Sequence, residues 1–448
     1  MSVFSETVAP ASYVQRAMWA IAQRHRGAPL NVMILPWRVR GPLQIAPLEA
    51  AIGDLVARHP TLRTRLSYRA GELVQLIGPP NPITLTVSEV EGENPHARQQ
   101  AAVKMLRDEG RRPLDVVADA PFRPRLLRFD NADHILCFFV HHAMCDAWSN
   151  QVMVRDLAAF YSARIQNGVA DLPELTEQYA DLAASQIRTY ETGGFSDEIC
   201  YWRAELADLP PAIALPVVAP RKGNRDWRAE SPAKVESQEL LCALKDLARR
   251  QRVSLFSLLL AGVATLLHQR TGAEDMVIGV STVNRWSPQA MQFVGCATNL
   301  LPARIRVTRQ EGFDQLVGQV HGTIRRLLAY GRIPLELILR EIQGSLATGP
   351  VFPVWCQFRE SQPAVIIESE KLSLTPFFIE RGAILCELEV DLIASGEGLV
   401  FEFAHRAALL ESRAVAELMH DFSAILRLVT SAPDRRVEFL CQRACAAS

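Results

Sequence analysis

ILCFFVHHAMCDAWS, residues 135–149, carries the clearest structural signal in this chain of 448 residues. Residues 135–140 are all apolar, and a run of that length suits a strand that is buried on both faces. The pattern that follows predicts a long helix over residues 148–166, with Asp146 or Ser149 near its start. Two histidines and an aspartate therefore lie where a buried strand ends and a helix begins. Rigid elements often present catalytic groups from such positions.

The two adjacent histidines cannot share one role if the strand continues through them. Successive side chains of a strand point to opposite faces, so one of His141 and His142 is expected to support the core and the other to face a cleft. An imidazole suits general-base chemistry, because its unperturbed pKa is about 6.5. Asp146 suits either an orienting carboxylate or a partner for a distant arginine. A metal-binding pair and a pair satisfied within the core remain alternatives at this point.

Helical and strand patterns alternate along the rest of the chain, and this alternation predicts an α/β fold. Several prolines between residues 210 and 232 indicate a long connection between two α/β segments. A β-hairpin is expected over residues 388–404, because apolar and acidic residues alternate up to a Ser-Gly-Glu-Gly turn. Further helices are predicted over residues 12–24, 48–58, 254–268, 313–330, 334–342 and 409–429, and a further strand over residues 275–280.

The composition argues against several classes of protein. The net charge of −1 does not favour binding to nucleic acid or to a membrane through bulk electrostatics. The nine cysteines include no CxxC pair, so neither a structural zinc site nor a disulfide framework is expected. The first residues have no basic stretch followed by an apolar run, so no secretory signal is expected. We predict a soluble, cytoplasmic protein without a bound metal.

The segment around the two histidines also carries a family resemblance. HHAMCDAWS at residues 141–149 resembles the HHxxxDGxS motif of the condensation domains of nonribosomal peptide synthetases. Other stretches resemble further motifs of that family in the right order, so the resemblance extends over nearly the whole chain. These stretches are SYVQ at 12–15 with MW at 18–19, RHPTLRT at 58–64, QYAD at 178–181, YW at 201–202, IG at 278–279 with NR at 284–285, VG at 294–295 with NLLP at 299–302, and IPLE at 333–336.

The resemblance implies a specific architecture and a specific reaction. Two lobes that resemble chloramphenicol acetyltransferase, residues 1–175 and 176–448, would form a V-shaped pseudo-dimer with a central tunnel. His142 would lie in that tunnel and either take a proton from the nucleophile or position it. His141 and Asp146 would have structural roles, with Asp146 paired to Arg285 across the interface between the lobes.

The resemblance also implies the substrates. The donor would be an acyl, polyketide or peptidyl chain held as a thioester on the phosphopantetheine arm of a carrier protein, supplied in trans. The acceptor would be an amine or a hydroxyl group, either free or carrier-bound, and the product an amide or an ester. Because a thioester is already activated, no bound cofactor is expected. The further candidates for the tunnel wall or for binding an oxyanion are Ala147, Trp148, Ser149 and Asn299.

Other functions of the same fold stay open. A coenzyme A-dependent acyltransferase shares the fold and the HHxxxD motif. A non-catalytic domain that recruits carrier proteins is a second alternative, although such relatives usually lose the active histidine. An epimerization domain is disfavoured, because its motif has tryptophan where this chain has Asn150. One departure from the condensation motif concerns the site itself, since Ala147 replaces the glycine that follows the aspartate.

Overall fold

The computed structural model describes residues 6–25, 27–118, 121–219, 226–343 and 352–440. The chain forms two compact units. Unit 1 contains Met1–Gly194 together with two later segments, Val283–Thr298 and Gln362–Gly382, and unit 2 contains the remaining residues. This division differs from the predicted single boundary after residue 175, because the chain returns twice to unit 1.

Unit 1 is built on a six-stranded sheet and a smaller three-stranded sheet. Its helices are α1 (Tyr13–Arg24), α2 (Ile45–Arg58), α3 (Pro95–Gly110), α4 (Ala147–Gln166) and α5 (Tyr179–Glu191). Its strands before residue 195 are β1 (Thr7–Pro10), β2 (Val32–Arg40), β3 (Thr64–Arg69), β4 (Glu72–Ile77), β5 (Thr86–Glu89), β6 (Phe122–Arg128) and β7 (Asp133–His141).

Strand β7 lies at the centre of the larger sheet and confirms the strand predicted over residues 135–140. It pairs antiparallel with β2 on one side and with β6 on the other. Side chains of β7 alternate between two apolar clusters, one shared with α2 and α4 and the other shared with α3. Because both faces of the strand are covered, the sequence of β7 is apolar at successive positions rather than alternating.

Helix α4 begins at Ala147, directly after the two histidines and the short turn that follows them. Asp146 is the N-cap residue, and its carboxylate accepts a hydrogen bond from the backbone N–H of Ser149. Such a cap satisfies one of the amide groups that the first turn of a helix leaves without an internal partner. The predicted helix over residues 148–166 is therefore confirmed, with Asp146 fixing its start.

Unit 2 is also an α/β unit, with a seven-stranded sheet. Its central strands are parallel and its outer pairs antiparallel, in contrast to the mainly antiparallel larger sheet of unit 1. Its helices are α6 (Ser196–Glu205), α7 (Gln238–Gln251), α8 (Leu255–Thr271), α9 (Phe313–Ala329), α10 (Leu335–Gln343) and α11 (Ser412–Ser431). The strands of unit 2 are β8 (Ala229–Glu230), β9 (Ala233–Glu236), β10 (Asp275–Thr282), β11 (Asn299–Arg306), β12 (Val354–Glu360), β15 (Leu388–Ser395) and β16 (Gly398–Arg406). The two strands between β12 and β15 belong to unit 1, and they are β13 (Val365–Ile367) and β14 (Leu372–Pro376).

The most apolar stretch of the sequence forms the core helix α8. Its residues from Ser257 to His268 are all buried, which agrees with the core helix predicted there. Among the described residues, no single helix is long and apolar enough to span a membrane. Helices α7 and α8 meet these two criteria only when they are taken together, and the pair is sharply bent. The predicted long connection over residues 210–232 contains the short strand β8, and its residues 220–225 lie outside the described part of the chain.

Candidate active site

His141 is the histidine that supports the core. It is 1% exposed, and its Nδ1 accepts a hydrogen bond of 3.1 Å from the backbone N–H of Ala143. Burial, with a smaller contribution from the neighbouring His142, lowers the pKa of His141 to about 3. The ring is therefore neutral at physiological pH, and it holds the turn that follows β7.

His142 is the histidine that is not fully buried. It begins the single turn of 3-10 helix His142–Met144 and is only partly buried. Its Nδ1 lies 2.8 Å from the carbonyl oxygen of Cys145. A carbonyl oxygen can only accept, so in the neutral ring Nδ1 carries the proton and Nε2 carries the free lone pair. The backbone thus selects the tautomer in which Nε2 is able to act as a base.

Asp146 and Arg285 form a buried ion pair. Nη2 of Arg285 lies 3.1 and 3.2 Å from the two carboxylate oxygens of Asp146. Asp146 is 1% exposed and Arg285 is 6% exposed. The resemblance places this pair across the interface between two lobes, whereas both residues lie inside unit 1, because residues 283–298 belong to that unit.

The carboxylate of Asp146 is stabilised in its ionised form. Burial alone would raise the pKa of Asp146, but the charge of Arg285 and hydrogen bonds from Ser149 and Ala297 outweigh it and lower the pKa below its usual value. Arg285 also donates through Nη1 to the backbone carbonyl groups of Ala290 and Phe293, at 2.7 and 2.9 Å. The pair therefore ties the start of α4 to a segment far along the chain.

That segment, residues 293–298, is held largely by side chains from other elements. Its carbonyl and N–H groups form hydrogen bonds with five side chains, which come from four different family-like motifs. The sequence motifs identified these stretches separately, but nothing in their residues showed that they meet. The contacts are Arg285 to Phe293, Thr61 to Val294, Ser149 and Arg285 to Gly295, Tyr179 to Cys296, and Asp146 to Ala297 and Thr298.

Three of the other predicted site residues use their polar groups in hydrogen bonds within the protein. The hydroxyl of Ser149 is buried between Asp146 and Gly295, and the indole N–H of Trp148 donates to the carbonyl of Met291 at 3.0 Å. The amide nitrogen of Asn299 donates to two backbone carbonyl groups, at residues 331 and 333. Asn299 therefore has no amide hydrogen left to offer an oxyanion. Ala147, in contrast, is exposed at the start of α4.

A second unusual group lies in unit 2, in the IPLE motif. The carboxyl group of Glu336 has one oxygen, Oε2, that is enclosed and has no hydrogen-bond partner among the described residues. Burial raises the pKa of Glu336 to about 7. A carboxyl group in an unfolded chain titrates near pH 4.3. The folded state therefore binds a proton more tightly than the unfolded state, and stability must fall as pH rises between these two values.

We expect Glu336→Gln to stabilise the protein at pH 8, by about 1–3 kcal/mol, because the buried charge is removed. The lower part of this range allows for the partial exposure of the side chain. At pH 4.5 the folded glutamate is protonated and the unfolded one is only partly ionised, so the two proteins should differ much less in stability than at pH 8. Urea denaturation at pH 4.5 and pH 8 measures the difference, with Glu397→Gln in the exposed β15–β16 turn as the control. Equal stability of Glu336→Gln and wild type at pH 8 would contradict the buried charge.

The described residues contain no group of three or more His, Cys, Asp or Glu side chains arranged to hold a metal ion. His141 and His142 face different surroundings, the first bonded to Ala143 and the second to Cys145. The geometry instead defines one partly buried histidine, His142, whose tautomer is fixed by a backbone carbonyl and whose loop is anchored by a buried ion pair.

Comparison with known proteins identifies the family to which this chain belongs. The family model described as Condensation domain matches residues 5–440, and the chain belongs to the condensation domain family. A linear gramicidin synthase of Brevibacillus parabrevis is 27% identical over 96% of this chain. Phosphinothricin tripeptide synthetase PhsC of Streptomyces viridochromogenes is 31% identical over 77% of it. The chain spans only 8% and 32% of the length of these two proteins.

Solved structures confirm the predicted α/β fold of the chloramphenicol acetyltransferase type. The X-domain from teicoplanin biosynthesis superimposes with a TM-score of 0.84, at 26% identity and over 96% of each chain. The first condensation domain of the calcium-dependent antibiotic synthetase gives a TM-score of 0.84 at 21% identity, over 96% of this chain and 98% of that one. The second likeness is one of fold alone.

Proposed function

We propose that this chain transfers an acyl or peptidyl group from a carrier-protein thioester to an amine or hydroxyl acceptor, with Nε2 of His142 as the general base. The observation that carries this proposal is the 2.8 Å contact between Nδ1 of His142 and the carbonyl oxygen of Cys145. That contact leaves the lone pair of Nε2 free, on a side chain that is only partly buried. Membership of the condensation domain family supports the same reaction class.

The step balances without a further reactant. The acceptor nitrogen or oxygen attacks the thioester carbonyl while Nε2 takes its proton. The tetrahedral intermediate then collapses, the C–S bond breaks, and the proton goes to the departing phosphopantetheine sulfur. An amine acceptor in water has a pKa of about 10.4, by analogy with lysine, so it arrives mostly protonated; it first releases one proton to solvent, and Nε2 takes the second as the new bond forms. A hydroxyl acceptor is a weaker nucleophile and depends more strongly on the base.

The test uses a carrier protein that bears an acylated phosphopantetheine arm, supplied in trans, with separate pools of amines and alcohols. Intact-protein mass spectrometry follows the loss of the acyl mass from the carrier, and the small products are identified in parallel. We expect loss that depends on both the protein and one acceptor pool, which also assigns the bond as amide or ester. Release of the chain on to a free acceptor is part of the same proposal. Transfer from acyl-coenzyme A but never from a carrier would overturn it in favour of the coenzyme A-dependent alternative.

A second candidate function rests on the likeness to the X-domain. That domain is solved in complex with OxyB from teicoplanin biosynthesis and is 25% identical to this chain at a TM-score of 0.82. A domain that recruits another enzyme would need no base at His142. Absence of transfer with every acceptor pool, together with specific binding of a partner enzyme that the His142→Ala change leaves intact, would favour this second function.

A further inference from the structure

The hydroxyl group of Tyr179 joins three distant parts of unit 1. It lies 2.7 Å from the hydroxyl of Ser12, which caps α1, and donates at 2.8 Å to the carbonyl oxygen of Cys296. Tyr179 is only 1% exposed. Its hydrogen bond to Cys296 therefore forms away from water, where losing a hydrogen bond costs more free energy than it does at the surface.

The ring of Tyr179 packs tightly against the same segment whose carbonyl group its hydroxyl binds. A Cβ atom built on Gly295 would lie 2.3 Å from the nearest atom of that ring, much closer than real Cβ atoms approach. Only glycine leaves room for the ring against the backbone of residue 295. The ring of Tyr179 also contacts the ring of Phe293, and the two ring centres lie 6.1 Å apart. Ring and hydroxyl together fix where residues 293–298 run.

Those residues contact the imidazole and its anchor. Sγ of Cys296 lies 3.8 Å from Nδ1 of His142. The next two N–H groups, of Ala297 and Thr298, donate to Oδ2 of Asp146 at 2.9 and 3.1 Å. The carbonyl that Tyr179 holds therefore belongs to the residue whose side chain touches His142, and it directly precedes the residues that bind the carboxylate.

We propose that Tyr179 is a positioning residue for His142, acting through Cys296, and this inference rests on the proposed role of His142 as base. Without the hydroxyl, the carbonyl of Cys296 loses the hydrogen bond from Tyr179, and the thiol that borders Nδ1 can then shift. The orientation of the imidazole, rather than the binding of either substrate, should then change. The predicted consequence is a lower kcat at an unchanged KM.

The test compares Tyr179→Phe with Ser12→Ala. The first change removes the hydroxyl that holds Cys296. The second removes the other partner of the same hydroxyl and the cap of α1, but leaves the contact between Tyr179 and Cys296 in place. We expect Tyr179→Phe to lower kcat about tenfold, the factor that corresponds to one lost hydrogen bond, with KM for donor and acceptor unchanged. Ser12→Ala should lower the melting temperature and leave kcat within about twofold of wild type.

Nitrogen-15 NMR of the His142 ring gives a readout that does not require acyl transfer. In the wild type, the signals should show a protonated Nδ1 and an unprotonated Nε2. Tyr179→Phe should alter the tautomer ratio, and Ser12→Ala should not. If the wild type transfers no acyl group but these signals change as expected, the proposed function fails and the positioning role stands. Unchanged signals in Tyr179→Phe, or an equal loss of kcat in both variants, would overturn the positioning role.

Discussion

Replacing His142 by alanine should lower the rate of acyl transfer by about 10²–10⁴-fold, the range that a positioned general base contributes. The physical reason is the tautomer: Cys145 engages Nδ1, so that Nε2 is the basic atom of the ring. Alanine provides no atom that can take the acceptor's proton. The side chain is partly exposed and adds little to the core, so the variant should fold and keep a melting temperature close to that of the wild type.

The matched control is His96→Ala, on the exposed surface of α3. It removes an imidazole of the same size from a position outside the site, and transfer should proceed at the wild-type rate. Both variants are assayed with the same acylated carrier and the acceptor pool that supports turnover. Transfer by His142→Ala within about twofold of the control would rule out a general base at this position. Circular dichroism establishes that both proteins are folded.

Much of the secondary structure could be predicted because local composition reports burial and capping directly. Residues 135–140 are apolar at successive positions, and the structure covers β7 on both faces. The sequence predicts a helix that starts at Ser12, and the hydroxyl of Ser12 indeed accepts from the N–H of Gln15. Capping depends on a few neighbouring residues, and burial of a segment depends on how many of its residues are apolar. Both can therefore be predicted from a single sequence.

The environment of a strand within its sheet is less predictable. In β15, acidic and apolar residues alternate, which is typical of a strand with one solvated face. Yet Glu389 and Asp391 are only 6% and 2% exposed. Their partners, Gln357 and Arg359, lie on the neighbouring strand β12. Which strands become neighbours depends on the whole fold, and the alternating pattern contains no information about it.

The surroundings of Asp146 show the same limit at the site itself. From the residues alone, this carboxylate could orient a histidine or pair with a distant arginine, and only the family resemblance named Arg285. The structure places the guanidinium of Arg285 against it, together with backbone N–H groups of residues 297 and 298. Backbone groups are the same in every residue, so no sequence pattern could have indicated these two donors.

Loss of the Arg285 guanidinium should have the largest effect on stability. We expect Arg285→Ala to lower the free energy of unfolding by about 3–5 kcal/mol, because it leaves the buried carboxylate of Asp146 without its countercharge. The control is Arg413→Ala, which breaks the exposed pair with Glu417 on α11 and should cost less than about 0.5 kcal/mol. Urea denaturation near pH 7 measures both changes. A cost below about 1 kcal/mol for Arg285→Ala would contradict the role of the pair as an anchor.

The double variant Arg285→Ala with Asp146→Asn separates the lost countercharge from the lost contacts. Because an asparagine side chain carries no charge, the double variant should be more stable than the sum of the two single changes predicts.

The pH dependence of stability also reports on the lost countercharge, and its sign is definite. The pKa of Asp146 is lowered in the folded state, so its stabilising contribution is present above the unfolded pKa of about 3.9 and is lost as pH falls through the folded value. In Arg285→Ala, the charge that does most to offset burial is gone, so stability should begin to fall at a higher pH than in the wild type. If the stability of wild type and of Arg285→Ala falls over the same acidic pH range, then backbone N–H groups rather than Arg285 keep this carboxylate ionised.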